Sequence, residues 1–303
     1  MPIVNLPVIS QIWSAIRRKR IIAKHREVAS FWHPVITAYF SGELDKYDFL
    51  PVKKELVGKK IIWQYWGQGV EHEGLPEIVQ LCFDSIDKYK GGYEVIRLSD
   101  ETIHEYLELP TFVWERRKNL AFNRTFFSDL LRLALLKTYG GIWLDATIML
   151  TGEIPERYSN TDYFVFQRDR SEQNKKYWES TYAYYWGWHP QYRVNMLNSI
   201  FFGREGDETI KALLDLMLFY WKTQDKIIDY FFFQILYDEL LSGKLKEHKC
   251  SLVSDVLPHY LQSKVNGGCD FISYKEIFEK NSLHKMSYFD KESLNRLCEV
   301  LSI

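Results

Sequence analysis

Two stretches of this chain put charged residues where charge is expensive. In "SDLLR", Asp129 and Arg132 stand three apart, so a helix would carry both on one face. In "YGGIWLDATIML", a double glycine opens an apolar run and Asp145 sits inside it. A lone carboxylate taken out of water is costly unless it is paired, hydrogen-bonded or bound to a cation. Three roles are therefore open to Asp145: capping a turn at the strand end, pairing with a buried Arg or Lys, or reaching a cation or ligand in a cleft. Asp129 and Arg132 have an equally plain alternative, a surface ion pair. The order of the segments favours chemistry. The helix-like stretch carrying Asp129 and Arg132 runs through Gly140-Gly141 directly into the Asp145 strand, which gathers an acid, a base and a second acid near one cleft. An arginine there suits a phosphate or a departing anion. An acid at a strand end suits a divalent cation that neutralises a diphosphate.

The elements that must position these residues follow a regular pattern. "KKIIWQYW" (59–66) reads as a strand and "GQG" as a turn. "LPEIVQLCFDSIDKYK" (75–90) reads as a helix with Pro76 near its first turn. "YEVIRLS" (93–99) is a strand, and Ser99 or Asp100 can cap a short helix through "DETIHEYLEL". "NRTFFSDLLRLALLKTY" (123–139) is a longer helix, and "IWLDATIML" is the next strand. The alternation β-α-β-α-β predicts a parallel α/β sheet with right-handed crossovers. Ligands of such sheets bind beyond the carboxyl ends of the strands, where "WGQG" and "DAT" fall. Further on, "DYFVFQRD" (162–169) and "NSIFFGRE" (198–205) read as strands, and 207–222 and 226–241 as helices. Residues 1–58 are expected to form a helical N-terminal extension with a Pro and Gly break after residue 30, and 59–303 one compact α/β domain.

Bulk properties narrow the function. The chain has 303 residues, 46% of them hydrophobic and 16% aromatic, which supplies ample core and argues against disorder. A formal net charge of -1 removes the overall basic field that nucleic-acid binding uses. Cys82, Cys250, Cys269 and Cys298 are scattered, so neither a zinc ribbon nor a disulfide frame is implied, and a reducing cytoplasm is the simpler setting. No apolar run reaches the roughly 18 to 20 residues of a membrane-spanning helix. The N-terminus does not read as a signal peptide, because its apolar part precedes the basic cluster. Residues 8–28 read as a helix with Ile9, Ile12, Trp13 and Ile16 at helical spacing, followed by "RRKRIIAKHRE" with six Lys/Arg against one Glu. Such a helix can lie on an anionic bilayer, here the inner face of the cell membrane, or pack its apolar stripe on the body of the protein.

Other candidates carry two readings each. "KKYWESTYAYYWGWHP" (175–190) is dense in aromatics, with Gly187 and Pro190 marking a loop. Tyr185, Trp186 and Trp188 could stack on an acceptor sugar or simply pack together. Asp229 and Tyr230 begin an aromatic-rich helix, where Asp229 also suits a helix N-terminus. His284 and Lys285 lie in a polar break, solvated or touching phosphate. "GQG" lacks the Gly-x-Gly-x-x-Gly spacing of a dinucleotide site. Walker, His-Glu-x-x-His and Gly-x-Ser-x-Gly motifs are absent. Hydrolysis by two carboxylates remains open for a chain this rich in acids.

"SDLLRLALLKTYGGIWLDATIML" resembles the core block of the capsular polysaccharide synthesis glycosyltransferases, relatives of glycosyltransferase family 32 and, more distantly, of the large glucosylating toxins. "KKIIWQYWGQG" is similar to that family's first strand, "NSIFFGRE" to its later Asn-bearing strand, and "DYFFFQILYDELL" and "LHKMSY" to its capsular subgroup. The resemblance spans about residues 59 to 290. It implies a GT-A-like nucleotide-binding sheet, parallel or mixed, with flanking helices. It implies transfer from a nucleotide sugar, a UDP-sugar by expectation, to a surface or capsular polysaccharide or a lipid-linked oligosaccharide, with retention. Trp66, beside Gly67, would stack on the base. Asp129 would hold ribose or sugar hydroxyls, and Arg132 the donor sugar or diphosphate. Asn198 would line the cleft, and Asp229 and Tyr230 would lie near the acceptor. Asp145 would be the first carboxylate of an Asp-x-Asp motif that binds Mn²⁺ or Mg²⁺. The second is Thr147 here, a neutral and weaker ligand. Another acid, or the Lys285 ammonium, would then supply what the motif lacks. The alternative is a non-catalytic nucleotide- or sugar-binding protein of the same fold.

Overall fold

The run Ile61–Tyr65 is buried on both faces, which marks it as the centre of a sheet rather than its edge. The structure, a computed structural model, describes residues 6–301, so the side chain expected at Ile9 and the chain ends lie outside the described positions. In chain order the elements are α1 (Leu6–Phe40), β1 (Ile61–Tyr65), α2 (Glu77–Tyr89), β2 (Glu94–Leu98), α3 (Thr111–Arg117), α4 (Arg124–Tyr139), β3 (Gly141–Leu144), β4 (Ile148–Leu150), α5 (Glu156–Ser159), β5 (Tyr163–Gln167), α6 (Lys175–Thr181), β6 (Met196–Gly203), α7 (Glu208–Thr223), α8 (Phe232–Ser242), α9 (Tyr260–Val265), α10 (Tyr274–Lys280), β7 (Leu283–Lys285) and α11 (Lys291–Leu301).

Five strands form one sheet in the order β2-β1-β3-β6-β5. β1 runs parallel to β2 and β3, as the β-α-β-α-β pattern predicts. β6 runs antiparallel to β3 and β5, so the sheet is mixed. Side chains alternate across it. Ile61, Trp63, Tyr65 and Trp143 join the large core with α4, α7 and α8. Ile62, Ile142 and Leu144 join a second cluster with Tyr158 of α5 and Leu150 of β4. Helices therefore cover the sheet, and the fold is α/β as expected.

Four expectations need correction. The strand drawn through 142–150 is two strands: it leaves the main sheet after Leu144, turns through Asp145 to Thr147, and resumes as β4 in a small sheet with β7. The turn closes through Ile148 N–H on Asp145 O at 2.9 Å. The short helix after Ser99 is only a single turn at Ile103–Glu105, and α3, which was not foreseen, follows Pro110. The helix placed over 226–241 starts at Phe232, because the Asp229 carboxylate accepts from Phe231 N–H (2.8 Å) and holds a turn ahead of it. The proline break falls later too. α1 continues through Pro34 to Phe40, and Gly42, with φ 77°, ends it. Interior proline costs a helix about 3 kcal/mol. Burial of Trp32, Ile36 and Tyr39, with Trp32 Nε1 donating to Phe232 O at 3.0 Å, offsets it.

Gly140 and Gly141 aim β3. Their φ values are 74° and 106°, a region other L-residues avoid. A Cβ on Gly141 would stand 2.6 Å from Ile61 O in the neighbouring strand. Gly91 shares the positive φ (55°) but has open space around it. Gly91→Ala should therefore cost only the left-handed penalty, about 1–2 kcal/mol, and Gly141→Ala clearly more, read by urea unfolding. Equal losses would contradict the close approach of β3 to β1.

Candidate functional site

α4 begins with Asn123 as its cap, whose side chain accepts from Thr125 N–H (2.9 Å) and Phe126 N–H. The helix then lays Asp129 and Arg132 on the face turned to β3 and β6, both buried. Arg132 is the hub. Its Nη2 lies 3.1 Å from Asp129 Oδ1 and 3.4 Å from Asp145 Oδ1. It also donates to Ser128 O, Ser128 Oγ and Asn198 O, and its guanidinium sits 5.2 Å from the centre of the Trp143 ring. Asn198 Nδ2 donates to Asp129 Oδ1 at 2.8 Å, and Trp143 Nε1 to Asp145 Oδ1 at 2.8 Å.

β7 delivers the second cation. Pairing of Lys285 with Ile148 puts its ammonium over the turn, where Nζ donates to Thr147 Oγ1 at 2.8 Å and Asp145 Oδ2 at 3.3 Å. The two cations differ in access: the Arg132 side chain is 2% exposed, whereas those of Lys285 and Asp145 are each 26% exposed. His284, one residue earlier, takes the opposite side of β7. It is buried, and its Nε2 meets Thr151 Oγ1 at 2.9 Å. Burial pushes its pKa down to about 3, so it is neutral and part of the core.

The two carboxylates are driven apart in acidity. Burial pushes Asp129 up to about 6; Arg132 opposes this, the Asp145 charge adds to it, and the Asn198 hydrogen bond opposes it. Burial also pushes Asp145 up, but Lys285, then Arg132, then the Trp143 hydrogen bond outweigh it, and its pKa falls below the ordinary value. Asp145 is the fixed anion, and Asp129 titrates near pH 6.

Asp129, Arg132, Asp145, Thr147, Asn198 and Lys285 are thus brought together. Trp66 and Gly67 follow β1 directly, and parallel pairing of β1 with β3 sets them beside the Asp145 turn. Tyr230 is exposed, and its ring lies 5.9 Å from that of Phe126, three positions before Asp129 on α4. Asp229 is committed to its turn at Phe231.

Tyr185 and Trp186 are buried, and the packed-cluster alternative describes them. With half-buried Trp188 they enclose the Arg168 guanidinium at 5.0, 4.6 and 4.8 Å from the ring centres. Arg168 pairs with Asp255 at 2.9 Å, both side chains 0% exposed, and Tyr185 Oη donates to the same carboxylate at 2.9 Å.

A second ionic cluster escaped the sequence reading. Asp100, just beyond β2, accepts from Tyr65 Oη, from Arg117 Nη1 (2.7 Å) and from Arg124 Nε (2.9 Å). It packs against Gly67, where a Cβ would meet Arg124 Nε at 2.5 Å. The signal in the sequence is its position just after a parallel strand, which equally suits a helix cap. A separate cavity of about 540 Å³ opens at the amino ends of the strands, among Lys60, Tyr93, Gly141 and Arg204. It lies away from the Asp145 turn.

The profile of the capsular polysaccharide synthesis protein family matches residues 12–300, and the chain belongs to that family. No curated protein matches the chain. A solved structure titled PaToxG glycosyltransferase aligns over 93% of this chain and 96% of its own, with 12% identity and a TM-score of 0.36, too slight a likeness to bear on the site.

The Asp129 titration is directly measurable. A carboxyl resonance should move with a midpoint near 6, and Asn198→Ala should raise that midpoint. Because the folded pKa exceeds the ordinary value, ionisation costs stability. The contribution is full below about pH 4 and lost as pH rises through about 6. A midpoint near 4 would contradict the dry environment of Asp129.

Proposed function

We propose that this chain is a GT-A-type glycosyltransferase. It takes a sugar from a nucleotide-sugar donor, expected to be a UDP-sugar, and adds it to a capsular or surface polysaccharide unit, with retention. One observation carries this reading. Asp129, Arg132, Asp145 and Lys285 form a single charged network at the turn that ends β3, where a parallel sheet binds ligands. Family membership agrees with it.

In this reading Trp66 stacks on the base and Asp129, held by Asn198, receives sugar or ribose hydroxyls. The bond from C1 to the diphosphate oxygen breaks. The acceptor hydroxyl bonds to C1 on the same face, and its proton passes to the departing phosphate oxygen. Negative charge grows on the leaving group, so a cation placed there lowers the barrier. Arg132 is sealed behind both carboxylates and acts by fixing them. Lys285 is the cation within reach.

The family pattern implies Mn²⁺ or Mg²⁺ at Asp145 and Thr147. The donors here fit it poorly: one carboxylate and one neutral hydroxyl, already bridged by the Lys285 ammonium. Among the described residues no group of three or more His, Cys, Asp or Glu is arranged to hold a metal. The reading therefore gives the charge role to Lys285. Titration calorimetry with UDP tests it. Binding should persist in EDTA, and Lys285→Met should weaken it by about tenfold or more, the range for a charge-assisted hydrogen bond. Binding that needs Mn²⁺ and ignores Lys285→Met would return the role to a metal. No binding of UDP, GDP or CMP would favour a non-catalytic sugar-binding protein instead.

The reading extends to a membrane surface. Residues 12–20 of α1 are all exposed, and Ile12, Trp13 and Ile16 show 54%, 63% and 37% of their surface beside Arg17, Arg18, Lys19 and Arg20. No described helix is long and apolar enough to cross a membrane. An exposed apolar stripe flanked by cations suits peripheral attachment to an anionic leaflet, on the cytoplasmic side where sugar nucleotides are made. Co-sedimentation with phosphatidylglycerol vesicles should be lost when those four basic residues become Glu. Unchanged sedimentation would remove the membrane role.

A further inference from the structure

The buried rings of the 182–188 turn leave others outside. Tyr182 and Tyr184 are 49% and 55% exposed, and Tyr230, across from them, is 56% exposed. Each is joined to the next ring. Tyr184 lies 6.0 Å from Tyr182, Tyr182 6.2 Å from Phe231, and Phe231 4.9 Å from Tyr230. Tyr230 in turn lies 5.9 Å from Phe126, which precedes Asp129 by three positions on α4 and so shares its side of the helix. The other end of the row reaches α1. Ala183, between Tyr182 and Tyr184, packs with Tyr192 against Ile21 and Ile22. Arg18 pairs with Glu179 at 3.7 Å nearby.

The turn beneath these rings is held in place. Tyr185 and Trp186 N–H both donate to Tyr182 O, at 3.1 and 2.8 Å, and both side chains are locked around Arg168. The outward rings therefore stand on a fixed backbone, which limits the entropy lost when a ligand stacks on them. Ring faces with hydroxyl tips suit a ligand with apolar C–H faces and many hydroxyls. A row that starts beside the exposed basic stretch of α1 and ends at the donor carboxylates matches a saccharide carried at a membrane.

We propose that Tyr184, Tyr182 and Tyr230 form the acceptor platform, a row of aromatic faces that binds the sugar units of a membrane-held acceptor and leads its terminal hydroxyl to the Asp129–Asp145 cleft. This rests on the transferase reading and replaces Tyr185 and Trp186 as the acceptor contacts. The test uses methyl glycosides of glucose, galactose, N-acetylglucosamine and rhamnose as probes, with the full chain and UDP present, read by saturation-transfer NMR. At least one glycoside should receive saturation, concentrated on one C–H face. Its apparent affinity should fall about fivefold when the ring it stacks on is changed to Ser, the loss expected for one aromatic contact, and should vanish into the baseline in the triple Ser variant. Tyr182→Phe and Tyr184→Phe should keep it. Phe40→Ser should also keep it, since that exposed ring lies about 27 Å along α1 from Ile22. UDP calorimetry on the same variants separates the two claims. UDP binding with a glycoside signal that survives the triple Ser variant, or with no signal from any glycoside, overturns the platform alone. Loss of UDP binding in the wild-type chain overturns the transferase reading beneath it.

Discussion

The site depends on keeping one carboxylate charged at a break between two strands. Asp145 stands where β3 leaves the main sheet, and a bare charge there would be unstable. Three donors answer it: Arg132 from α4, the Trp143 indole from β3, and Lys285 from β7. Each comes from a different part of the chain. The Gly140-Gly141 turn sets where β3 starts, α4 packing sets Arg132, and the β4–β7 pairing sets Lys285. Arg132 and Lys285 are far apart in sequence yet reach the two oxygens of one carboxylate, and the small second sheet is what brings Lys285 there.

Charge balance gives the network its direction. Two acids face two cations, but Asp129 is pushed up to about 6 while Asp145 is held down. Below about pH 6 the resident charge sits mainly on the Asp145 side, and Asp129 takes up or releases its proton near that pH. In the proposed transferase reading, an incoming diphosphate would meet Lys285, the more exposed cation, and would compete with Asp145 for it. Entry of the anion should loosen the Lys285–Asp145 contact and leave Arg132 as the remaining cation partner of Asp145. A buried arginine fixed by five acceptors suits that role, because it does not move when the surface lysine is recruited.

Much of this was legible in the chain itself. β1, α2, β2 and α4 fall close to their expected bounds, because apolar spacing and the Pro76 and Gly140 signals are local. Asp129, Arg132 and Asp145 were readable as a unit for the same reason: one helix and one turn join them. What was hidden is long-range. The direction of β6 depends on its pairing partners, not on its own residues, so the β-α-β alternation pointed only to a parallel sheet, while the family resemblance allowed the mixed one that is found. The break inside "IWLDATIML" was hidden because both halves are apolar, and only the β4–β7 pairing separates them. The Asp100 cluster was hidden because Arg117 lies on a helix that carries no strong start signal beyond Pro110.

The aromatic segment shows how far residue type alone can mislead. Tyr182, Tyr184, Tyr185 and Trp186 are adjacent and chemically alike, yet two face out and two are buried. The cause is Arg168, a fully buried cation, which needs both an anion and ring faces around it. Removing one partner of such a pair costs a protein about 3–5 kcal/mol, so the rings that enclose it are not free to serve a ligand. The outward pair carries no such duty. Structural demand therefore sorts the segment first, and any recognition must use what is left over. That remainder lies between the basic end of α1 and the carboxylates of α4 and β3, so the rings spared by the core are also the ones with a route to the site.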